Sequence, residues 1–323
     1  MIESVNQLID SYRTDVDSPY HKLRFHTRCY YDSLCKRLEK DLGELPLALV
    51  KAREMKHWHE TFVAAEKIAM GHSVMGMIRI LTGFGATILE NQECVRISTV
   101  LGNMRFKMSK PRVERLTVEQ VVAIRGQAHK INRRSIALGQ ALQFELMFRQ
   151  KDIIGEWVPE DEPGESDTFD LDQKWLRGIR WEEIDSDFIL THVTSKRQKE
   201  ITADLKLADM VMQELILWFG AIDRTRMPAS GPVIISEMSF LPWRAVEFRR
   251  NWRAIADKAG IPREVKNMDT RSGAITEALK SGANPDSVRK AATHSQLSMT
   301  TRYSRGDTEE TADVMKLRVA SRQ

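Results

Sequence analysis

Residues 269–305, DTRSGAITEALKSGANPDSVRKAATHSQLSMTTRYSR, decide the fold. Apolar residues at helical spacing predict a helix over Arg271–Leu279, opened by an arginine. Asn284-Pro285 supplies a cap and a first-turn proline for a second helix. His294-Ser295 follows that helix, and Tyr303 stands nine residues beyond the histidine. The stretch thus gathers a permanent cation, an imidazole and a phenol near the end of a chain of 323 residues.

Working outward, the chain is long enough for two cores, and composition suggests where they part. FKMSKPRVER, from Phe106 to Arg115, combines charge with a proline and has no sustained period, so it reads as a solvated linker. Domains are therefore expected at 1–105 and 117–323, with residues 106–116 between them. The first third carries helical periods over 27–42, 50–70, 73–90 and 95–104, and Ser18-Pro19 gives a further cap signal. Thr117 and Gln120 form a capping box, with Leu116 and Val121 placed as a hydrophobic staple, so a helix starts firmly at the second domain. Ile184–Val193 and Glu200–Leu205 are β-like around the turn Thr194-Ser195-Lys196. Helices resume over 208–219 and 242–259, where Trp243, Phe248 and Trp252 are assigned to the core. Met210, Met212, Leu215 and Leu217 are read as helix-packing residues.

Charge is unevenly spread. The net value is +4, but residues 156–172 hold eight acidic residues and no Lys or Arg, which leaves +12 on the remainder. This acidic insert is expected to be a mobile loop that mimics DNA in front of a basic body. Such a body suits nucleic acid, and Lys22, Arg24, Arg28, Arg249 and Arg253 are candidate phosphate contacts. Three widely spaced cysteines and an opening MIESVNQLID without a basic-then-apolar leader predict a cytoplasmic, nucleoid-associated protein. The apolar run Val74–Leu89 contains Arg79 and is too short to span a bilayer, so no membrane is expected. His57 and His59 lie two apart, on different faces of a helix, and are read as surface or DNA-facing residues. With no HExxH, no CxxC pair and no phosphate-binding glycine loop, neither metal nor nucleotide cofactor is predicted.

The segment 269–305 resembles the catalytic carboxyl-terminal part of tyrosine recombinases of the phage integrase family, on Arg271, His294 and Tyr303. The resemblance extends upstream: ALQFELMFRQKD (141–152) offers Arg149 with Asp152, and LTHVTSKRQKEI (190–201) offers Lys196 in a hairpin turn, with Lys199 as its alternative. It implies a mainly α protein of two domains, a helical DNA-clamping (core-binding, SAM-like) domain before a mixed α+β catalytic domain with a small antiparallel sheet. It further implies double-stranded DNA as partner, and self-assembly on DNA through the tail 307–323, whose Val314, Met315 and Leu317 give it an apolar side.

The chemistry needs these residue types together. Displacement at a phosphodiester places charge on the equatorial oxygens, which two guanidiniums, here Arg149 and Arg271, stabilise. A tyrosine, with an unperturbed pKa of about 10, must lose its proton as it attacks, and its phosphotyrosine conserves the bond energy for rejoining. By the resemblance, Lys196 protonates the leaving hydroxyl and His294 donates to the phosphate. The family's histidine three residues before the second arginine is here Met268, which cannot carry a proton. Two rivals follow: a DNA-binding protein of this fold with weak or no catalysis, and a type IB topoisomerase-like activity. If Met268 limits the chemistry, Met268→His raises the single-turnover cleavage rate; no gain at any pH would remove Met268 as the cause.

Overall fold

The structure is a computed structural model, and it describes residues 2–301 and 318–319. The chain divides into two compact units, Met1–Arg112 and Val113–Gln323. Helical elements and small antiparallel sheets make up the second, and the first is helical, as the sequence predicts.

The first unit holds α1 (Val5–Thr14), α2 (Phe25–Leu42), α3 (Ala52–Ala64), α4 (Ile68–Thr87) and α5 (Gln92–Asn103). Ser4 and Gln7 form a capping box that starts α1, while Ser18 caps a single 3-10 turn at Pro19–Lys22. The apolar run became α4, which buries Val74, Met75, Met77, Ile78, Leu81 and Phe84. Its one charge, Arg79, is satisfied inside the unit: the guanidinium donates to Leu101 O and Met104 O at 3.2 and 3.3 Å, closing the end of α5. Among the described residues, no helix is long and apolar enough to cross a membrane.

Two expectations need correction here. Phe106, at the start of the expected linker, packs against this core, its ring 5.0 Å from that of His59 and 5.3 Å below the Arg79 guanidinium. His59 is accordingly buried and does not face DNA, whereas His57 is exposed. A one-dimensional pattern shows that two histidines diverge but not which of them points inward.

The second unit opens as predicted, with Thr117 and Gln120 in a capping box ahead of α6 (Val118–Lys130) and both Leu116 and Val121 buried. There follow α7 (Arg134–Glu145) and α8 (Gln150–Ile154), then β1 (Glu156–Pro159), β2 (Phe169–Asp170), β3 (Gln173–Leu176), β4 (Ile189–Val193) and β5 (Glu200–Asp204). Among the described residues there follow α9 (Asp209–Phe219), α10 (Ala245–Lys258), α11 (Asp269–Lys280), α12 (Pro285–Ala291) and α13 (Leu297–Thr300). Trp243, Phe248, Trp252, Met212 and Leu215 join the core and Met210 packs against it, but Leu217 is exposed. A fully buried polar chain ties three helices together. Trp252 Nε1 on α10 donates to Gln140 Oε1 on α7 at 2.7 Å, and Gln140 Nε2 donates to Thr270 Oγ1 on α11 at 3.1 Å. Glu214 of α9, wholly buried, meets Arg125 Nε at 2.7 Å and His129 Nε2 at 2.8 Å. The Glu214 carboxylate and the Arg125 guanidinium thus partner each other, which is the condition for burying them.

The acidic insert is not a mobile loop. Its two ends are strands of a three-stranded antiparallel sheet in the order β1-β3-β2, separate from the hairpin β4-β5. Three of its eight acids meet bases outside the insert. Glu156 accepts from Lys151 and Arg177, each at 2.6 Å; Asp167 pairs with Arg180, and Asp170 with Arg244 at 2.7 Å. Burial works to raise the Glu156 pKa, but the hydrogen bonds from Lys151 and Arg177 prevail and hold it below the ordinary value. A strand whose charges are neutralised by residues distant in sequence looks like a solvated acidic loop when its own residues are read alone.

α11 is seated against the entry segment so closely that residue 273 has no room for a side chain. A Cβ there would lie 2.0 Å from Leu116 O and 2.9 Å from Leu116 C, both backbone atoms that cannot rotate away. Gly126, exposed on α6, has nothing within 4 Å of such a Cβ. Gly273→Ala is thus expected to destabilise the fold by about 1–3 kcal/mol, and Gly126→Ala to stabilise it by up to about 1 kcal/mol. Urea denaturation of both variants checks the opposite signs; equal behaviour would mean that α11 can shift freely against the entry segment.

Candidate active site

Helix α7 ends four residues before Arg149. Met147 takes a left-handed conformation (φ 51°), and Phe148 N donates back to Gln143 O at 3.2 Å, as in a Schellman stop. The reversal makes Arg149 the residue that precedes α8, with its backbone N–H donating to Asp152 Oδ2 at 3.1 Å. A second stop of the same kind ends α12. There Thr293 is left-handed (φ 52°), Thr293 N donates to Lys290 O at 3.0 Å, and His294 N donates to Arg289 O at 2.9 Å.

Both expected arginines converge on the end of α12. The Arg271 guanidinium, almost fully buried, donates to Ala292 O and also to Met147 O, so it joins the carbonyl ends of α12 and α7. Such ends carry unpaired carbonyls and the negative pole of the helix dipole, which favour a cation. Arg149 Nη1 donates to Thr293 Oγ1 at 3.3 Å and lies 3.9 Å from Asp152 Oδ2. Asp152, only 1% exposed, uses its other oxygen to accept from Ser195 N at 2.7 Å. One buried carboxylate therefore fixes both Arg149 and the turn of the β4-β5 hairpin, where Lys196 is exposed.

His294 completes the cluster. It is 6% exposed, with Nδ1 2.9 Å from Thr300 Oγ1. Burial, followed by the charges of Arg271, Arg149 and Arg197, depresses its pKa to about 4, so the ring is neutral at ordinary pH. Arg197 thus adds a charge from the hairpin turn to those of the two arginines.

The other expectations divide. Met268 is 63% exposed just ahead of α11, beside the site but not packed into it. Tyr303 lies outside the described residues, as does the tail apart from residues 318–319. Lys22, Arg24 and Arg28 gather at the start of α2 in the first unit, where Lys22 is exposed and Arg28 Nη1 donates to Leu23 O at 2.5 Å. Arg249 is exposed on α10. Arg253 is turned inward: it donates to Val265 O at 2.7 Å, Ile261 O at 3.0 Å and Pro262 O at 3.3 Å, which holds the 261–265 loop onto α10. Sequence reasoning assigned no role to Thr293 or Arg197; a hydroxyl before the histidine and a second cation in the turn were the signals available.

Residues 174–310 match the model of the phage integrase family. The second unit thus carries a segment similar to the phage integrase family. The family's fold recurs in solved structures. Lambda integrase, as a dimer bound to a COC′ core site, is similar with a TM-score of 0.70 at 15% identity over 94% of this chain and 96% of that one. The Tn1549 transposon integrase in complex with transposon right end DNA gives 0.58 at 15% identity, covering 98% and 99%. A lambda integrase tetramer bound to a Holliday junction gives 0.68 at 15% identity, covering 93% and 77%. No curated protein matches the sequence.

The depressed His294 pKa has a consequence for stability. Neutral in the fold and titrating near 6.5 when unfolded, the ring contributes stability that is fully present above about pH 6.5 and is lost as the pH falls toward 4. Melting temperature should therefore fall over that window, and His294→Gln should flatten that part of the profile; an unchanged profile would mean that the ring is not held neutral.

Proposed function

We propose that the chain is a site-specific DNA recombinase that cuts and rejoins duplex DNA through a 3′-phosphotyrosine, without metal or nucleotide. The observation that carries this is the convergence of Arg149, Arg271 and His294 on the end of α12, with the Lys196 turn tied to Arg149 through Asp152. In this reading the two guanidiniums hold the scissile phosphate and meet the charge that grows on its equatorial oxygens. In this reading His294 Nδ1, 2.9 Å from Thr300 Oγ1, is assigned as acceptor from that hydroxyl, so that the neutral ring carries its proton on Nε2 and donates it as a hydrogen bond to the same phosphate. Tyr303 is the nucleophile: its oxygen forms a bond to phosphorus as its proton leaves, and the 5′-oxygen departs with a proton from Lys196. Attack of a 5′-hydroxyl on the phosphotyrosine reverses these steps.

In this reading the helical unit, with Lys22, Arg24 and Arg28, and the second unit, with exposed Arg249, each contact the DNA backbone. Arg253 is left out of that role because its donors serve the fold. Assembly of protomers on DNA through the tail 307–323 belongs to the same proposal, supported by the lambda integrase dimer and tetramer on DNA. Its place of work would be the nucleoid in the cytoplasm.

The test is covalent trapping on nicked or suicide DNA that carries the candidate site. The expected result is a denaturation-resistant protein–DNA adduct in the parent and none in Tyr303→Phe. Absence of an adduct on DNA that the protein demonstrably binds would replace this reading with the DNA-binding one and turn attention to Met268.

A further inference from the structure

We infer that Thr293 is a positioning residue for the phosphate clamp, kept in a strained backbone conformation because its hydroxyl orients Arg149. This rests on the recombinase reading for its catalytic consequence, but not for its structural part.

The case starts from the stop that ends α12. The bonds from His294 N to Arg289 O and from Thr293 N to Lys290 O require the residue between Ala292 and His294 to be left-handed, as its φ of 52° confirms. Glycine fits that position without cost. A β-branched residue there is a genuine outlier, because its Cβ substituents crowd the adjacent carbonyl. Thr293 is also 2% exposed, so solvation of its hydroxyl does not account for its presence. The hydroxyl instead accepts the hydrogen bond from Arg149 Nη1 at 3.3 Å.

That contact matters because of what else fixes Arg149. Asp152 receives the arginine's backbone N–H at 3.1 Å, but it lies 3.9 Å from the guanidinium, beyond a hydrogen bond. Thr293 thus sets the direction of the guanidinium, while Asp152 sets where the side chain begins. Arg271 is held on the adjacent residue, through Ala292 O, so two consecutive residues at the end of α12 register the two arginines against each other. A phosphate held by both guanidiniums needs that register in the free protein, before DNA arrives, for the site to be preorganised.

The inference predicts opposite effects on stability and rate, which a merely structural threonine would not produce. Thr293→Gly relieves the strain and should raise the melting temperature by about 2–4 °C. It also frees the guanidinium, so single-turnover cleavage should slow by roughly 10- to 100-fold at unchanged DNA affinity. Thr293→Ser keeps the hydroxyl and should cleave within about twofold of the parent, and Thr293→Ala, which loses the acceptor but keeps the strain, should be as slow as glycine without the gain in melting temperature. In protein carrying 15N-labelled arginine, the Arg149 guanidinium protons should exchange with solvent faster in the glycine variant than in the parent. Cleavage by Thr293→Gly at the parental rate, or unchanged Arg149 exchange, overturns the inference. A parent that forms no adduct overturns the recombinase reading instead, and the exchange and melting measurements still decide the role of Thr293.

Discussion

Two guanidiniums that never lose their charge repel each other, and a half-buried site holds both only if something negative meets each one. Among the described contacts, part of that counter-charge is partial and comes from backbone. Arg271 spans the carbonyl ends of α7 and α12, and Arg149 meets a hydroxyl and, more distantly, the carboxylate of Asp152. A full carboxylate against each guanidinium would compete with a phosphate for it; carbonyl dipoles stabilise the cations while leaving them a net positive field. The lengths of α7 and α12 follow from this. Each must stop where its last carbonyls face the arginines, and in both the stop is a left-handed residue other than glycine, Met147 and Thr293.

The frame of the site was legible because local signals set it. The proline after Asn284, the capping box at Thr117 and the helical spacing after Arg271 each depend on neighbours a few positions away, and the helices begin close to where those signals fall. What stayed hidden depends on partners far along the chain. The strand β1 carries an acid whose bases are Lys151 and Arg177, and β2 carries one whose base is Arg244, 74 positions on. Arg253 resembled a phosphate contact because its acceptors are loop carbonyls that no side-chain pattern announces. The turn that sets Arg149 ahead of α8 was hidden too, since a left-handed methionine is not a stop that a sequence advertises.

The same lesson holds in the helical unit. Arg79 looked like an interruption of an apolar helix, yet it closes α5 through two carbonyls and carries the ring of Phe106. A cation in an apolar run served there as a joint between elements, and the segment after α5 is anchored by it instead of leaving the unit directly.

The buried chain from Trp252 through Gln140 to Thr270 bears on how such a protein can drift in sequence. Cores made only of aliphatic side chains tolerate exchange of one shape for another. Here a change at Trp252 strands an amide oxygen, and the amide's other end holds the residue directly before Arg271. Substitutions at Trp252 or Gln140 therefore reach the residue next to Arg271, and the interior of α7, α10 and α11 must change in concert or hardly at all.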